Sequence, residues 1–479
     1  MYKYIALFFL TTLLNATDSR DLVIDKLLKE VQLLKKSVSE LKQNQIIVQN
    51  KQREDEQYVD ELYDFAENTE TRTLEDKLKF GVTFKTSIDN FSKKYADGYE
   101  VKSNNMWSNK LMLNMTADVT TDMKIYTRFS MFKYWGNGVK YPYSSYDNMQ
   151  GRVPSDSSIY VERAYLDWLF NKKSYIPMAI TVGRQPSADG PSHQFKDNTS
   201  RKATYSALLY DGAADGIVFT FDISKVISNH DSFFRLGYAK GFGYSESSTN
   251  VGNAYIGASN NDLKDTNVYG LFFDTTIPSI KHSLVQFSYS KIDDIVANHL
   301  DTNTTQNKNI GSLDMYGLMF EISNLKNSNI DLFLHYGYIS SNSNSNDYLN
   351  YGGLLNAPND SSSKSGDAIW LGTRYGFGEK QKYKIGIEYN HGSKNWVSLT
   401  QGSFDVYNKL STRGDAYEAY FMYEINRFAN LRLGYIRIDY DYSKSGWFIG
   451  ESQKIDSALN TKNELKELQS IYFKMSVNY

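Results

Sequence analysis

This chain contains many stretches in which polar and apolar residues alternate. On the polar faces of these stretches, positive and negative residues occur in different parts of the chain. The first stretches and the last two carry a positive set: Lys79, Lys85, Lys110, Arg128, Arg163, Arg432 and Lys474. The stretches between them carry a negative set: Asp274, Glu321, Asp331, Glu388, Glu418 and Glu424. Facing walls of opposite charge would produce a transverse electric field that acts on ions and polar solutes between them.

The ratio of positive to negative charges determines which ions such a field would favour. Arg374 and Lys384 interrupt the negative set, and the two signs nearly cancel. Weak ion selectivity is therefore predicted, because a dedicated anion pore would need rings of one sign. The alternative is that these charges pair with one another as structural networks within the wall.

Residue types that carry catalysis or bind metals are sparse. The absence of Cys excludes disulfides, thiolate metal sites and covalent c-type haem attachment. The six His show no paired spacing, and the chain has no Gly-x-Ser-x-Gly nucleophile motif. A formal net charge of -2 gives no support for nucleic-acid binding. The sequence thus predicts a protein that is not an enzyme and has neither cofactor nor metal site.

The elements that must position the charges are β-strands, and the final residues show this best. Ile471, Phe473, Met475, Val477 and Tyr479 share one face, with polar residues on the other, up to the C-terminus. Chain termini usually fray, whereas the last strand of a closed barrel must pair with the first. An ordinary amphipathic edge strand is the alternative.

Alternating segments of this kind recur throughout residues 77–479. About sixteen strands are predicted, beginning with Lys77–Ile88 and Trp107–Val119, and the number is open by two because the segments between Met178 and Ile223 alternate less clearly. Short links rotate with long loops rich in Ser, Asn and Gly, as in outer-membrane barrels. The predicted fold class is an all-β transmembrane antiparallel barrel preceded by an α-helical coiled coil.

Composition agrees with this fold class. The chain is 23% charged and 15% aromatic, with a mean hydropathy of -0.51, which is too polar for a helical membrane protein of this size. A barrel tolerates this polarity since only every second strand residue faces lipid, and its aromatic girdles use Tyr, of which there are 38. A soluble β-protein would have similar values.

The N-terminal region is predicted to have two parts. Residues 1–16 are predicted to be a secretory signal peptide, since a short positive start precedes an apolar run, Tyr4–Leu14, that is too short to span a membrane. Residues 17–73 are predicted to be a periplasmic coiled coil without Gly or Pro from Asp21 to Arg72. A single helix packed on its own barrel is the alternative. The heptad positions a and d are mostly apolar: Ile24, Val31, Val38, Val59 and Ala66 at a, and Leu27, Leu34, Leu41, Val48 and Leu62 at d.

Residues 77–479 resemble Gram-negative general porins in strand number, loop alternation and the C-terminal Tyr479. The order of signal, coiled coil and barrel also resembles an uncharacterised porin-like family of Epsilonproteobacteria, with similar stretches at Val182–Pro186 and Tyr210–Gly212. The resemblance implies a homotrimer in contact with lipid and lipopolysaccharide. The terminal strand resembles the signal that the barrel-assembly machinery reads.

In general porins, the loop after the fifth strand folds inward and narrows the channel. By that resemblance, the long polar segment from about Ser187 to Asp215 is the candidate constriction, and an ordinary surface loop is the alternative. Its charged and titratable residues are Asp189, His193, Lys196, Asp197, Arg201 and Lys202.

Three functions are weighed on this basis. The first is an outer-membrane porin for passive diffusion of small hydrophilic solutes and ions. The second is an outer-membrane enzyme, which would need a Ser/His pair or paired carboxylates that the sequence does not group. The third is a structural tether or adhesin with a plugged barrel as anchor, in which the coiled coil would reach peptidoglycan. The third function can coexist with the first.

Overall fold

The computed structural model describes part of the chain in detail. The described residues are 30–40, 42, 77–135, 157, 159–186, 190–227, 230–240, 254–255, 266–300, 305–343, 353–358, 360–400, 405–446, 450–456 and 461–479. Two compact units are present, Met1–Thr73 and Leu74–Tyr479. In the first unit residues 30–40 are helical, and Val31, Leu34 and Val38 are exposed. The signal peptide and most of the coiled-coil region lie outside the described residues, so both stay predictions.

The second unit is a closed antiparallel sheet. Its strands are β1 Leu78–Tyr95, β2 Glu100–Asp118, β3 Met123–Tyr134, β4 Tyr160–Phe170, β5 Met178–Pro186, β6 Ala213–Asp222, β7 Ser232–Lys240, β8 Ala254–Tyr255, β9 Asn267–Thr275, β10 Ser283–Leu300, β11 Thr305–Ile322, β12 Ile330–Ser343, β13 Lys364–Phe377, β14 Tyr383–Gly392, β15 Gly414–Asn426, β16 Ala429–Tyr440 and β17 Leu465–Asn478. The two-residue β8 pairs only with the far end of β10, so β7 and β9 are neighbours in the barrel. Sixteen strands therefore form the wall, as the sequence predicts.

Closure is made by the C-terminal strand. β17 pairs with β1 over a long register that runs from Thr83 opposite Asn478 to Tyr95 opposite Leu465. The backbone N–H of Val82 and the carbonyl of Tyr479 extend it by a 2.8 Å hydrogen bond. The prediction that the last strand pairs with the first is confirmed, and the barrel has no free sheet edge.

Exposed apolar residues alternate with buried polar residues along the strands, as in a membrane barrel. Ile387 is 61% exposed, while its neighbour Glu388 is 5% exposed. Phe80, Leu433 and Ile471 are likewise exposed apolar residues of other strands. An apolar exterior around a polar interior suits a wall that faces lipid. Within the described residues, no helix is long and apolar enough to cross a membrane.

Aromatic side chains form a row on the exterior near the short turns. Tyr375, Phe377, Tyr383 and Tyr423 follow one another at centroid distances of 6.0, 5.7 and 5.3 Å. Such a row matches the aromatic girdle that the Tyr content predicts.

Several strands run further than the sequence pattern indicates. β1 was expected to end at Ile88 but continues to Tyr95, and β2 begins at Glu100 rather than Trp107. Lys94 and Glu100 in these extensions are exposed. Beyond the lipid-facing part, the outward residues of a strand are polar and the inward face holds charged residues such as the buried Lys93. The ladder therefore continues without the apolar–polar alternation that would reveal it in sequence.

The helical elements of the barrel unit are short. An α-helix covers His193–Asp197, and 3₁₀ turns cover Leu325–Asn327, Glu379–Gln381 and Lys409–Ser411. Two of these, His193–Asp197 and Lys409–Ser411, lie in loops that enter the barrel.

Candidate functional site in the barrel interior

Residues 190–212, here the first inward loop, connect β5 to β6 through the barrel interior. Both ends of the loop are held by His335 on the inner face of β12. Its Nε2 lies 3.0 Å from Ser192 Oγ, and its Nδ1 lies 2.7 Å from Ser206 Oγ. Ser192 Oγ also donates to Glu321 Oε2 at 2.8 Å, and Gln286 on β10 donates to the carbonyl of Thr204 at 2.6 Å. The loop is thus fastened to three adjacent strands.

Asn198, just after the helix of this loop, is held by side chains of three further strands, β13, β14 and β15. Its side-chain oxygen accepts hydrogen bonds from Arg374 at 3.3 Å and Lys384 at 2.5 Å, and its amide donates to Glu424 at 3.1 Å. Arg374 also donates to the carbonyl of Phe195 at 2.6 Å. Both the oxygen and the amide nitrogen of the Asn198 side chain therefore have partners on β13–β15.

Lys196 and Asp197 tie the loop across the barrel seam. Lys196 lies 3.0 Å from Glu418 on β15, and Asp197 lies 2.9 Å from Lys85 and 3.0 Å from Arg432. Burial alone would raise the pKa of Asp197, but the two cations outweigh burial and hold that pKa well below its ordinary value. Burial would likewise lower the pKa of Lys196, yet Glu418 and other carboxylates raise it well above its ordinary value. Both groups stay charged at neutral pH.

Residues 393–400 and 405–413 form a second inward loop, between β14 and β15. Lys409 is its central contact: Nζ lies 2.5 Å from Glu388 Oε2 and also bonds Glu418, with 1% of the side chain exposed. The two loops pair with each other, since the Leu399 N–H donates to the Leu209 carbonyl at 2.9 Å and the Asp211 N–H to the Leu399 carbonyl at 2.7 Å. The second inward loop therefore supports the first.

Glycines on the inner wall make room for the apolar side chains of these loops. A Cβ at Gly317 would lie 2.3 Å from Leu209 Cδ1, and a Cβ at Gly337 would lie 2.5 Å from Trp396 Cη2. Leu209 and Trp396 belong to one buried apolar cluster with Trp370 on β13. The small wall residues and the large loop residues are thus complementary in shape.

The wall of β2–β6 carries charges that bond to neighbouring strands. Glu162 on β4 lies 2.9 Å from Arg128, 3.5 Å from Arg163 and 3.9 Å from Lys110. Arg128 also donates to Asn114 on β2 at 2.6 Å. One carboxylate thus serves three cations of the predicted positive set, and this part of the wall has an excess of positive charge.

The predicted positive set lies on the inner face but not in one environment. Lys85 and Arg432 meet the first inward loop, Lys110, Arg128 and Arg163 surround Glu162, and Lys474 lies over the Tyr472 ring with Nζ 4.8 Å from the centroid. Lys79 is exposed at the short-turn end, 2.9 Å from Asp118.

Every member of the predicted negative set is bonded, and all but the half-buried Glu424 are buried. The partners of Asp274, Glu321, Asp331, Glu388, Glu418 and Glu424 are, in order, Arg235, Ser192 with Gln194, Arg374, Lys409 with Trp370, Lys196 with Lys409, and Lys384 with Asn198. Four of the six bond to inward loops. The transverse field stays a prediction, and its negative side is now tied to loop residues.

The remaining constriction candidates are placed as follows. His193 lies 3.3 Å from Asp211 within the loop. Arg201 is exposed and Lys202 is half-buried. Asp189 lies outside the described residues.

Sequence reasoning missed Glu162, Lys409 and His335. Glu162 precedes Arg163, so strict alternation points it outward; a β-bulge opposite Arg128 and Phe129 brings both residues inside. Lys409 lies in a loop, where no pattern marks direction. His335 is on the polar face of its strand, a signal that was available for placing it in the interior.

Two cavities adjoin the loops. One, of about 620 Å³ including space open to solvent, lies between the first inward loop and β5–β10; it is apolar, with Tyr205, Tyr210 and Phe272 in its lining. The other, of about 660 Å³ on the same measure, lies between both loops and β15–β17 with β1, and its lining is charged. Within the described residues, no group of three His, Cys, Asp or Glu could hold a metal ion.

Comparison with protein families places the chain. A family model described as "Protein of unknown function (DUF3373)" matches residues 100–479. The chain belongs to this family. No curated protein matches it. The family description names no activity, and the resemblance to an Epsilonproteobacterial group stays a prediction.

Solved structures with a similar fold include outer-membrane proteins. OprB of Pseudomonas putida, in a high-pH structure, is 8% identical with a TM-score of 0.49, covering 85% of this chain and 95% of OprB. A loop L8 deletion mutant of OmpT from Vibrio cholerae is 11% identical with a TM-score of 0.42, covering 83% and 99%. In vitro folded OmpT, in its trimer form, is 12% identical with a TM-score of 0.41, covering 83% and 99%.

Proposed function

We propose that this protein is an outer-membrane channel through which small hydrophilic solutes and ions diffuse passively. A barrel of sixteen strands is wide enough to leave an aqueous channel. The observation that carries the proposal is the attachment of the inward loops to β1 and β10–β17. Hydrogen bonds from these loops reach β10, β12 and β16, as Gln286, His335 and Arg432 illustrate.

The first inward loop is the constriction in this proposal. It is bonded to β10–β17 and shares the apolar cavity with β5–β10. The path for solutes in this proposal therefore runs along β2–β4, where Lys110, Arg128 and Arg163 border it. Its fastening by one buried and one partly buried ion pair makes it a fixed restriction rather than a mobile gate, since Lys196 and Asp197 each bond to the wall. Fixed restriction sets a size limit for solutes.

The role is not enzymatic in this proposal, and no cofactor takes part. The exterior contacts lipid and lipopolysaccharide, and the protein associates as a homotrimer after insertion by the barrel-assembly machinery. The exposed apolar belt, with Phe80, Leu433 and Ile471, supports the lipid contact.

Planar-bilayer recording of the refolded full-length protein tests the proposal. We expect stepwise openings in KCl, with a small reversal potential in a salt gradient. A variant in which a Gly-Ser linker replaces residues 193–209 should give larger steps, because the constriction is removed. A matched variant with a linker of the same composition at the short turn 171–176 should keep the native step size. A correctly folded barrel without openings would contradict the proposal.

A second candidate is a structural anchor with a closed interior. The buried cluster that joins Leu209 and Trp396 of the loops to Trp370 of the wall favours it, since such packing could extend across the cross-section. Deleting residues 21–72 separates the roles. Loss of envelope integrity with intact conductance would favour tethering, and loss of the oligomer would favour an assembly role for the coiled coil.

A further inference from the structure

Two cations face each other directly on the inner wall at the C-terminal strand. Arg432 on β16 and Lys474 on β17 are partners in the strand register. Both lie over the ring of Tyr472, with Arg432 Cζ 5.7 Å and Lys474 Nζ 4.8 Å from its centroid. Like charges directly opposite each other on one face destabilise a sheet. Asp197 compensates Arg432 at 3.0 Å, so Lys474 is the member of the pair that calls for a further negative charge.

The carboxylates of the adjoining charged cavity are already occupied. Asp197 lies between Lys85 and Arg432, and Glu418 bonds Lys196, Lys409 and the Tyr472 hydroxyl, the last at 2.5 Å.

The two aspartates of the same lining also have partners. Asp211 lies 3.3 Å from His193. Asp405 accepts backbone N–H bonds from Tyr407 and Lys409, each at 3.1 Å. Each of the four carboxylates in the lining thus has at least one bonded partner.

Donors, in contrast, remain at the cation pair. Within the described residues, Lys474 Nζ makes neither a hydrogen bond nor an ion pair, and the Arg432 Nε–H is buried without an acceptor. An unsatisfied donor on a buried charged group is costly. The buried Arg432 Nε–H and the half-buried Lys474 Nζ, on facing strands beside one cavity, form a site for an acceptor that carries negative charge.

We propose that Arg432 and Lys474 form an oxyanion subsite of the channel. It would bind the carboxylate or phosphate group of a small solute, whose oxygens accept from Lys474 Nζ and Arg432 Nε, with Ser476 at the edge of the site. This inference rests on the proposed channel function, because solutes would reach the cavity through the barrel interior. It names one chemical class among the hydrophilic solutes: those with an oxyanion group.

The surrounding charges limit the solute further. The lining contains four cationic side chains and four carboxylates: Lys85, Lys196, Arg432 and Lys474, and Asp197, Asp211, Asp405 and Glu418. Near-neutral surroundings favour a solute with one negative group over a polyanion, which would meet the carboxylates as well. Two donors on separate side chains suit an oxyanion better than chloride, because an oxyanion offers several acceptor oxygens.

Calorimetric titration of the full-length protein in detergent, with acetate or inorganic phosphate at constant ionic strength, tests the subsite. We expect both probes to bind saturably and more tightly than chloride does. Lys474→Met should weaken it on the order of tenfold or more, the effect of one charge-assisted hydrogen bond. Lys474→Arg should retain binding. Lys172→Met, the same change at an exposed residue of a short turn, should bind as the wild type does.

Ser476→Asp provides an independent variant if Lys474→Met does not fold. It places a negative charge beside the pair, so it should abolish binding of both probes. Unchanged affinity in folded Lys474→Met or Ser476→Asp, or no binding to the wild type, would overturn the subsite. Conductance is recorded on the same preparations. Openings without oxyanion binding would overturn the subsite alone, whereas binding without openings would overturn the channel and leave the subsite supported.

Discussion

The two sides of the barrel interior differ in the origin of their charge partners. On β10–β17 and β1, wall charges bond to two inward loops, as Glu418 does to Lys196 and Lys409. On β2–β6 they bond to neighbouring strands, as Glu162 does to Arg128. Partners from loops fill the cross-section, whereas partners from strands keep the charges on the wall. The same inward residue types thus have opposite consequences for a channel.

The largest expected effect comes from removing the loop cation of the filled side. Lys409→Met leaves Glu388 and Glu418 short of a buried partner, so it should lower the free energy of unfolding by about 3–5 kcal/mol. Urea unfolding of the refolded protein measures this. Lys172→Met, at an exposed pair with Asp122, should change it by about 1 kcal/mol or less. If the two variants lowered the free energy of unfolding equally, the ion pairs of Lys409 would contribute no more to stability than an exposed pair does.

Glycine substitutions test how closely side chains pack against the wall on the two sides of the barrel. Gly337→Ala places a Cβ against Trp396 and should destabilise by about 1–3 kcal/mol through overpacking. Gly237→Ala on β7 meets its nearest atom, Val218 Cγ2, at 3.5 Å, an ordinary contact, and should be nearly neutral. Thermal unfolding of both variants gives the comparison. If Gly337→Ala is as stable as Gly237→Ala, the fit of the loops to the wall is looser than the structure indicates.

Ion preference tests the positive wall. Neutralising Lys79, Lys110 and Arg128 together, each to Gln, should shift the reversal potential in a KCl gradient toward cation preference, because the wall loses three positive charges and Glu162 keeps Arg163 as its one cation of this set. Lys172→Gln should not change it. An unchanged reversal potential in the triple variant would show that the predicted transverse field does not act on permeating ions.

The smallest expected effect is that of pH on the fastening of the first inward loop. The pKa of Asp197 is lowered, so its contribution is present above the unfolded value of about 3.9 and is lost only as pH falls through the folded value. The pKa of Lys196 is raised, so its contribution is present below about 10.4 and is lost only at higher pH.

Hydrogen exchange of residues 190–212 measures this fastening. After correction for intrinsic rates, protection should be constant from about pH 5 to about pH 9, a range inside both limits. Lys85→Met should weaken protection at the acid end first, because it removes one of the two cations that lower the pKa of Asp197. A change in wild-type protection near neutral pH would assign the fastening to other groups.

Much of the wall could be predicted from sequence because lipid imposes a period of two. The segment Met123–Tyr134 alternates clearly, and Gln469–Tyr479 was recognised as the closing strand. Sequence-based prediction failed where that constraint ends: at the extensions of β1 and β2 with polar outer faces, and at the bulge that turns Glu162 inward.

The candidate site could be predicted only in part. Inner-face charges such as Lys110 and Glu388 follow from the polar face of each strand. Their partners did not follow, because Lys409 and Asn198 lie in loops without periodicity.

The sequence by itself determined the strands, the inward face of each and the sign of the charges there, since these depend on local alternation between lipid and water. Only the tertiary structure decided which charges meet. Lys85 and Asp197 are separated by 112 positions and Lys196 and Glu418 by 222, and these contacts exist because the barrel closes around a loop. Contacts of that span depend on packing within the closed wall, which no local pattern encodes.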